Sequence, residues 1–121
     1  MILRDCRGVD NGAIQALPTE LALLELDLKG CGQLGRDGVL RACSFVHLEK
    51  LVLQGVSSVD VDALQKLRHC PNLVYLSVAD CPLIDDSVFR LVGELSGLRE
   101  LNVSGCSVTT WGCERGLQYP Q

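Results

Sequence analysis

Seven cysteines and two histidines are the side chains of this 121-residue chain most able to bind metal or attack a substrate, and their spacing argues against both. Zinc sites draw their ligands in pairs two to four residues apart. The chain has no Cys-x-x-Cys, and neither His69-Cys70 nor Cys106 with Cys113 is patterned to supply four ligands. No metal site is expected. A catalytic cysteine needs a nearby histidine and an activating, partly exposed setting. Here Cys6, Cys31, Cys81 and Cys106 recur at a 25-residue interval in a column whose remaining member is Val56. A slot that valine can fill is a packing slot, so no enzymatic role is expected of these thiols. His47 and His69 fall in turns before strands, where histidine is ordinarily a surface residue. The glycine-rich piece Gly30-Cys31-Gly32-Gln33-Leu34-Gly35-Arg36 lacks the lysine and Ser/Thr of a phosphate loop and reads as a turn. No cofactor or small-molecule substrate is expected.

The elements that carry these residues repeat with the same 25-residue stride. It runs through Leu23, Leu48, Leu73 and Leu98, through Leu26, Leu51, Leu76 and Leu101, and through Leu3, Leu28, Leu53, Val78 and Val103. In the unit from Leu73 to Val92, Leu76 and Val78 alternate with Tyr75, Ser77 and Ala79, the period of a strand with one buried face. Asp80 leads into a turn, Cys81 tucks inward as a small apolar group with a weak donor, and Pro82 ends strand pairing. Asp85-Asp86 are expected to cap a short helix whose Val88, Phe89 and Val92 share one face. Asp60 is the expected cap of the helix carrying Ala63, Leu64 and Leu67. Along the helices a small slot (Ala13, Gly38, Ala63, Val88) stands beside a larger one (Ile14, Val39, Leu64, Phe89), with Leu17, Ala42, Leu67 and Val92 one turn on. Small side chains let a helix approach the sheet closely, and their larger neighbours fill the gap between units.

Strands joined through helices run parallel with right-handed crossovers. The expected fold is therefore α/β: a solenoid of about five units, with a curved parallel sheet inside and short helices outside. The pattern holds over 1–110 and fails after Thr109-Thr110, where Glu114 falls in the large helix slot, so 111–121 is set apart as a divergent tail. That tail offers only Trp111, Leu117 and Tyr119 to cover a core, and reads as an alternative ending more than as a cap.

Bulk properties narrow the function. Apolar residues make up 47% of the chain and aromatics 4%, so the interior must be aliphatic. A net charge of −4 and a pI near 5.0 offer phosphates no long-range attraction, which argues against a nucleic-acid partner. No window approaches a membrane span, and Met1-Ile2-Leu3-Arg4-Asp5 does not open a signal peptide. An odd number of widely spaced cysteines over an ample core indicates reduced thiols and a cytoplasmic or nuclear protein.

The runs Leu23 to Cys31, Leu73 to Cys81 and Leu98 to Cys106 resemble the leucine-rich repeat, Leu-x-x-Leu-x-Leu-x-x-Cys. The variant resembled is the cysteine-containing one, in which Cys-Pro-x-Ile-(Thr/Asp)-Asp follows the strand as Cys81-Pro82-Leu83-Ile84-Asp85-Asp86 does here; Cys70-Pro71-Asn72-Leu73 matches its entry into a strand. Val56 in place of cysteine and Gly35-Arg36 in place of the acidic pair mark the second and third units as degenerate. The resemblance to F-box leucine-rich repeat proteins implies substrate recognition for a cullin-type ubiquitin ligase. No F-box precedes the array, so the chain is either a fragment or isoform of a longer protein or an array that works alone. The same repeat variant also implies an alternative, a mitochondrial respiratory-complex assembly or scaffold factor; a truncated product with no function of its own is a third reading.

A protein partner would meet the inner face of the sheet, since solenoids bind through an extended face. Its columns are Glu25, Lys50, Tyr75 and Glu100; then Asp27, Val52, Ser77 and Asn102; then Lys29, Gln54, Ala79 and Ser104. Tyr75, Lys50, Glu100, Asp27 and Asn102 are the expected contacts, because an amphipathic aromatic among charges is a common interface anchor. A second candidate is the turn edge with Asp10, Asp37, Asp60, Asp62, Asp85 and Asp86, several of which serve first as helix caps.

Overall fold

The computed structural model describes residues 2–3, 11–18 and 22–107. Five strands, β1 (Ile2–Leu3), β2 (Glu25–Asp27), β3 (Lys50–Val52), β4 (Tyr75–Ser77) and β5 (Glu100–Asn102), alternate with helices α1 (Asn11–Gln15), α2 (Arg36–Ala42), α3 (Val61–Leu64) and α4 (Val88–Glu94). A 3-10 segment, Gln65–His69, extends α3. The strands form one parallel sheet in chain order. The architecture is α/β, with a parallel sheet and short helices.

Sequence spacing becomes lateral neighbourhood in this sheet. Leu26, Leu51, Leu76 and Leu101 are successive register partners, as are Glu25, Lys50, Tyr75 and Glu100. At β1 the expectation fails: Leu3 pairs with Leu26 and not with Leu28, so the stride there is 23 residues. A slip of two keeps the alternation of faces, whereas a slip of one would reverse it.

Backbone pairing continues past each short strand. Leu28, Leu53 and Val78 N–H groups donate to the carbonyls of Val52, Ser77 and Asn102, and those of Gly30, Gly55 and Asp80 donate to Gln54, Ala79 and Ser104. The chain then turns through a left-handed residue: Gly30 (φ 76°), Gly55 (φ 78°), Asp80 (φ 57°) and Gly105 (φ 75°). Beyond the turn, Cys31, Val56 and Cys81 are all 1% exposed or less, while Cys106 is half-buried. The Cys81 thiol donates to the Leu53 carbonyl (3.2 Å) and the Cys106 thiol to that of Val78 (2.9 Å), tying each turn to the strand end of the preceding unit. All five described cysteines are free thiols, and Cys6 and Cys113 lie outside the described residues.

One apolar cluster joins the strand leucines to Val39, Ala42, Ala63, Leu64, Leu67, Val88, Phe89 and Val92 of the helical layer. Full burial of one such side chain contributes about 1.5–3 kcal/mol. Gly38, Ala63 and Val88 are buried as the small-slot pattern requires, but Ala13 is exposed. Among the described residues α1 has a helical neighbour on one side only, α2, so its small slot is not covered. Asp60 caps α3 by accepting the Ala63 N–H at 2.7 Å. The cap expected of Asp85-Asp86 is not made: Ser87 takes the N-cap position without a side-chain bond to the helix, and Asp85 Oδ1 accepts from the Ser87 N–H (3.0 Å) and hydroxyl (2.5 Å) in the turn before α4. The boundary at 110 and the tail 111–121 lie outside the described residues.

Candidate protein-binding face

Side chains alternate across a strand, so with Leu26, Leu51, Leu76 and Leu101 in the core, the residues on either side of them project from the face opposite the helices. This open face holds all the expected contact residues in register. Lys50 and Glu100 are exposed, Glu25 and Tyr75 half-buried. Lys50 Nζ stands 5.1 Å from the centre of the Tyr75 ring, within cation–π range. Lys29 is exposed and Gln54 half-buried, its Nε2 donating to Asp80 Oδ2 at 3.4 Å.

Two expected contacts also serve the backbone. Asp27 Oδ1 accepts from the Lys29 N–H and Asn102 Oδ1 from the Ser104 N–H, both at 3.0 Å, the side-chain turn typical of Asp and Asn. These bonds orient both side chains, each of which is half-buried.

Ser77 departs from expectation. It stands in its column between Val52 and Asn102, yet it is 2% exposed and its Oγ has no hydrogen-bond partner among the described residues. Ala79, also 2% exposed, lies beside it. Short side chains sink below taller neighbours, so Ser77 and Ala79 form the floor of the face and not its solvent-facing surface. Asp80 was expected only to lead into a turn; the column Gly30, Gly55, Asp80, Gly105 is the signal that marks it as a carboxylate in a glycine position. Val74, 40% exposed, adds an apolar edge just before β4.

The turn edge is less acidic than its aspartates suggest. Arg36, which replaces an acidic residue of the repeat pattern, reaches Asp60 Oδ2 (2.6 Å) and Asp62 Oδ2 (2.8 Å). The hydrogen bond to Asp60 and then that to Asp62 raise the guanidinium pKa. Asp85 is held below its ordinary value by the Ser87 hydroxyl and then the Ser87 N–H. Asp10 lies outside the described residues.

Three hollows lined by described residues are small. One of about 40 Å³ lies on the open face among Glu25, Asp27, Lys50 and Val52. Two on the helical side measure about 200 and 280 Å³. All three fall below the roughly 300–1,000 Å³ of small-molecule sites. Burial disfavours the thiolate at four of the described cysteines: it pushes Cys70 up to about 11 and Cys81 up to about 12, and raises Cys43 and Cys106 as well. His47 and His69 are both exposed. No group of three or more His, Cys, Asp or Glu positioned to hold a metal occurs among the described residues, and none of their helices is long and apolar enough to cross a membrane.

No family model matches the chain. No curated protein matches it by sequence. Among solved structures it is similar to a chain in the crystal structure of the Rad7 and Elc1 complex in yeast, with a TM-score of 0.74 and 28% identity over 90% of this chain. This chain spans 28% of the length of that one.

Proposed function

We propose that the chain is a non-enzymatic protein-interaction module, a leucine-rich repeat solenoid that uses the open sheet face to recognise substrates for a cullin-type ubiquitin ligase in the cytoplasm or nucleus. The observation that carries the reading is the in-register array of Glu25, Lys50, Tyr75 and Glu100 on the face away from the helices. An ordered row of charged and amphipathic side chains on a rigid sheet is pre-organised for protein contact, which lowers the ordering cost of binding. Likeness to a chain of a two-protein complex supports a protein partner. The ligase context rests on the resemblance of the repeats themselves.

Tyr75→Ala combined with Lys50→Ala tests the face. Both side chains project from the open face, outside the apolar core, so the circular dichroism spectrum is expected to be unchanged. Proteins captured from a lysate by the immobilised chain should fall at least about tenfold in yield on the double variant, since loss of one anchor residue commonly costs 2 kcal/mol or more. Equal capture by parent and variant would refute the reading.

A further inference from the structure

We propose that the β4–β5 half of the open face is a seat for a basic, extended segment of the partner protein, with one cationic side chain near Asp80 and another near Glu100. The inference rests on the open face being the docking surface and names what docks there.

Asp80 gives the first indication. Its counterparts one unit away, Gly55 and Gly105, are glycines, as is Gly30, whereas Asp80 holds φ 57° with a side chain attached. Left-handed backbone disfavours any residue with a Cβ, aspartate less than most. Glycine would remove that strain, so the carboxylate is retained at a cost to the fold. In the structure it receives only the long bond from Gln54 and has no Lys or Arg partner among the described residues. Its Oδ1 lies over Gly105, in space that a Cβ there would occupy.

Ser77 gives the second, independent indication. Its hydroxyl is enclosed at the centre of this half-face with no partner. A buried hydroxyl left unpaired destabilises the free protein, and a polar group of a docked segment that reached it would satisfy it.

Charge gives the third. Over the columns of the whole face, four carboxylates, Glu25, Asp27, Asp80 and Glu100, oppose two cations, Lys29 and Lys50. In the β4–β5 half, Tyr75, Ser77, Ala79, Asp80, Glu100, Asn102 and Ser104 include two carboxylates and no cation, and the one cation at their edge is exposed Arg99, just before β5. An acidic segment would be repelled here and a basic one attracted.

Spacing defines the ligand. Asp80 lies five positions beyond Tyr75, the register partner of Glu100, so the two carboxylates are about 16 Å apart along the strand direction at roughly 3.3 Å per residue. In an extended segment, cations four or six residues apart lie on one side at about 13 or 20 Å, and long side chains take up the difference; a separation of five puts them on opposite sides.

The test uses the full chain and fluorescein-labelled Ser/Val peptides bearing two arginines at separations of about four, five and six residues, with glutamate peptides as the matched set. Fluorescence anisotropy should show binding of the arginine peptides only, with even separations tighter than odd. Asp80→Gly, which installs the residue of the other units, and Glu100→Gln, at an exposed position, should each fold normally and weaken binding at least about tenfold, as expected for a charge-assisted contact. Amide shifts on binding should centre on 75–80 and 100–104. Failure of every arginine peptide to bind at millimolar concentration, or equal binding of glutamate peptides, overturns the basic seat. Binding that is lost in Tyr75→Ala but indifferent to both carboxylate variants overturns the seat while leaving the open-face reading in place. Binding whose shifts map to α2–α4 overturns both.

Discussion

Replacing Asp60 separates two roles that one carboxylate performs. Oδ1 accepts the Ala63 N–H at 2.7 Å, and Oδ2 accepts from Arg36 at 2.6 Å across the gap between units. Asp60→Ala removes both; Asp60→Asn keeps an acceptor for the helix and removes the charge. Loss of an N-cap costs about 1 kcal/mol, within a range of roughly 0.5–2. The Arg36 contact adds little, because exposed ion pairs are weak and Arg36 keeps Asp62 at 2.8 Å. With an unfolding entropy of about 2.1 cal/mol/K per residue, a chain of 121 residues should lose about 4 °C of Tm in Asp60→Ala. Asp60→Asn should lose less than half of that. Thermal and urea unfolding followed by circular dichroism read both, and high salt should narrow the small Asn effect further. If Asn proves as damaging as Ala, the ion pair and not the cap holds this turn. If Ala costs nothing, the helix start is not capped by Asp60.

Other consequences follow from the same geometry. Gly105→Ala should destabilise by more than the ~1 kcal/mol of left-handed strain, because its Cβ also meets Asp80 Oδ1; combining it with Asp80→Gly should recover the excess in a double-mutant cycle. Leu76→Ala, at a fully buried ladder position, should cost about 2–5 kcal/mol, while Leu83→Ala, at 54% exposure, should stay within about 0.5 kcal/mol, both by urea titration. Iodoacetamide at pH 8 should modify half-buried Cys106 well before Cys81, whose thiol is pushed up to about 12 by burial, as mass spectrometry of tryptic fragments would report. The raised thiols also set a sign for alkaline stability. A group whose folded pKa exceeds its unfolded value contributes stability that is complete below the unfolded value and is lost as pH rises. For Cys70 and Cys81 that loss should begin near pH 8.5, the ordinary thiol value, and extend to about 11 and 12; Cys81→Val, which installs the side chain that Val56 places in the same slot, should reduce it.

The columns were legible because a constant stride in sequence becomes side-by-side pairing once strands are parallel and in register, as Leu51, Leu76 and Leu101 are. The Asp60 cap was legible for a local reason, a carboxylate three residues before the N–H it accepts. What sequence did not reveal depends on contacts across units. Ser77 and Ala79 stand in solvent-facing columns, but how far they are buried is set by the height of their neighbours. Arg36 looked like a defect in the acidic pattern; its long side chain reaches the aspartates 24 and 26 positions on. The slip at Leu3 breaks a stride that holds elsewhere, and no residue near it announces the change. Asp80 could have been found, since a non-glycine in a column of glycines at turns is visible without coordinates.

Photo-crosslinking measures the central claim most directly. A benzoylphenylalanine placed at position 75, on the open face, or at position 90, an exposed position of α4, would report which side of the molecule the bound partner touches. Crosslinks from position 75 and none above background from position 90 are the predicted result. Efficient crosslinking from position 90 with none from 75 would contradict it and move the interface to the helices.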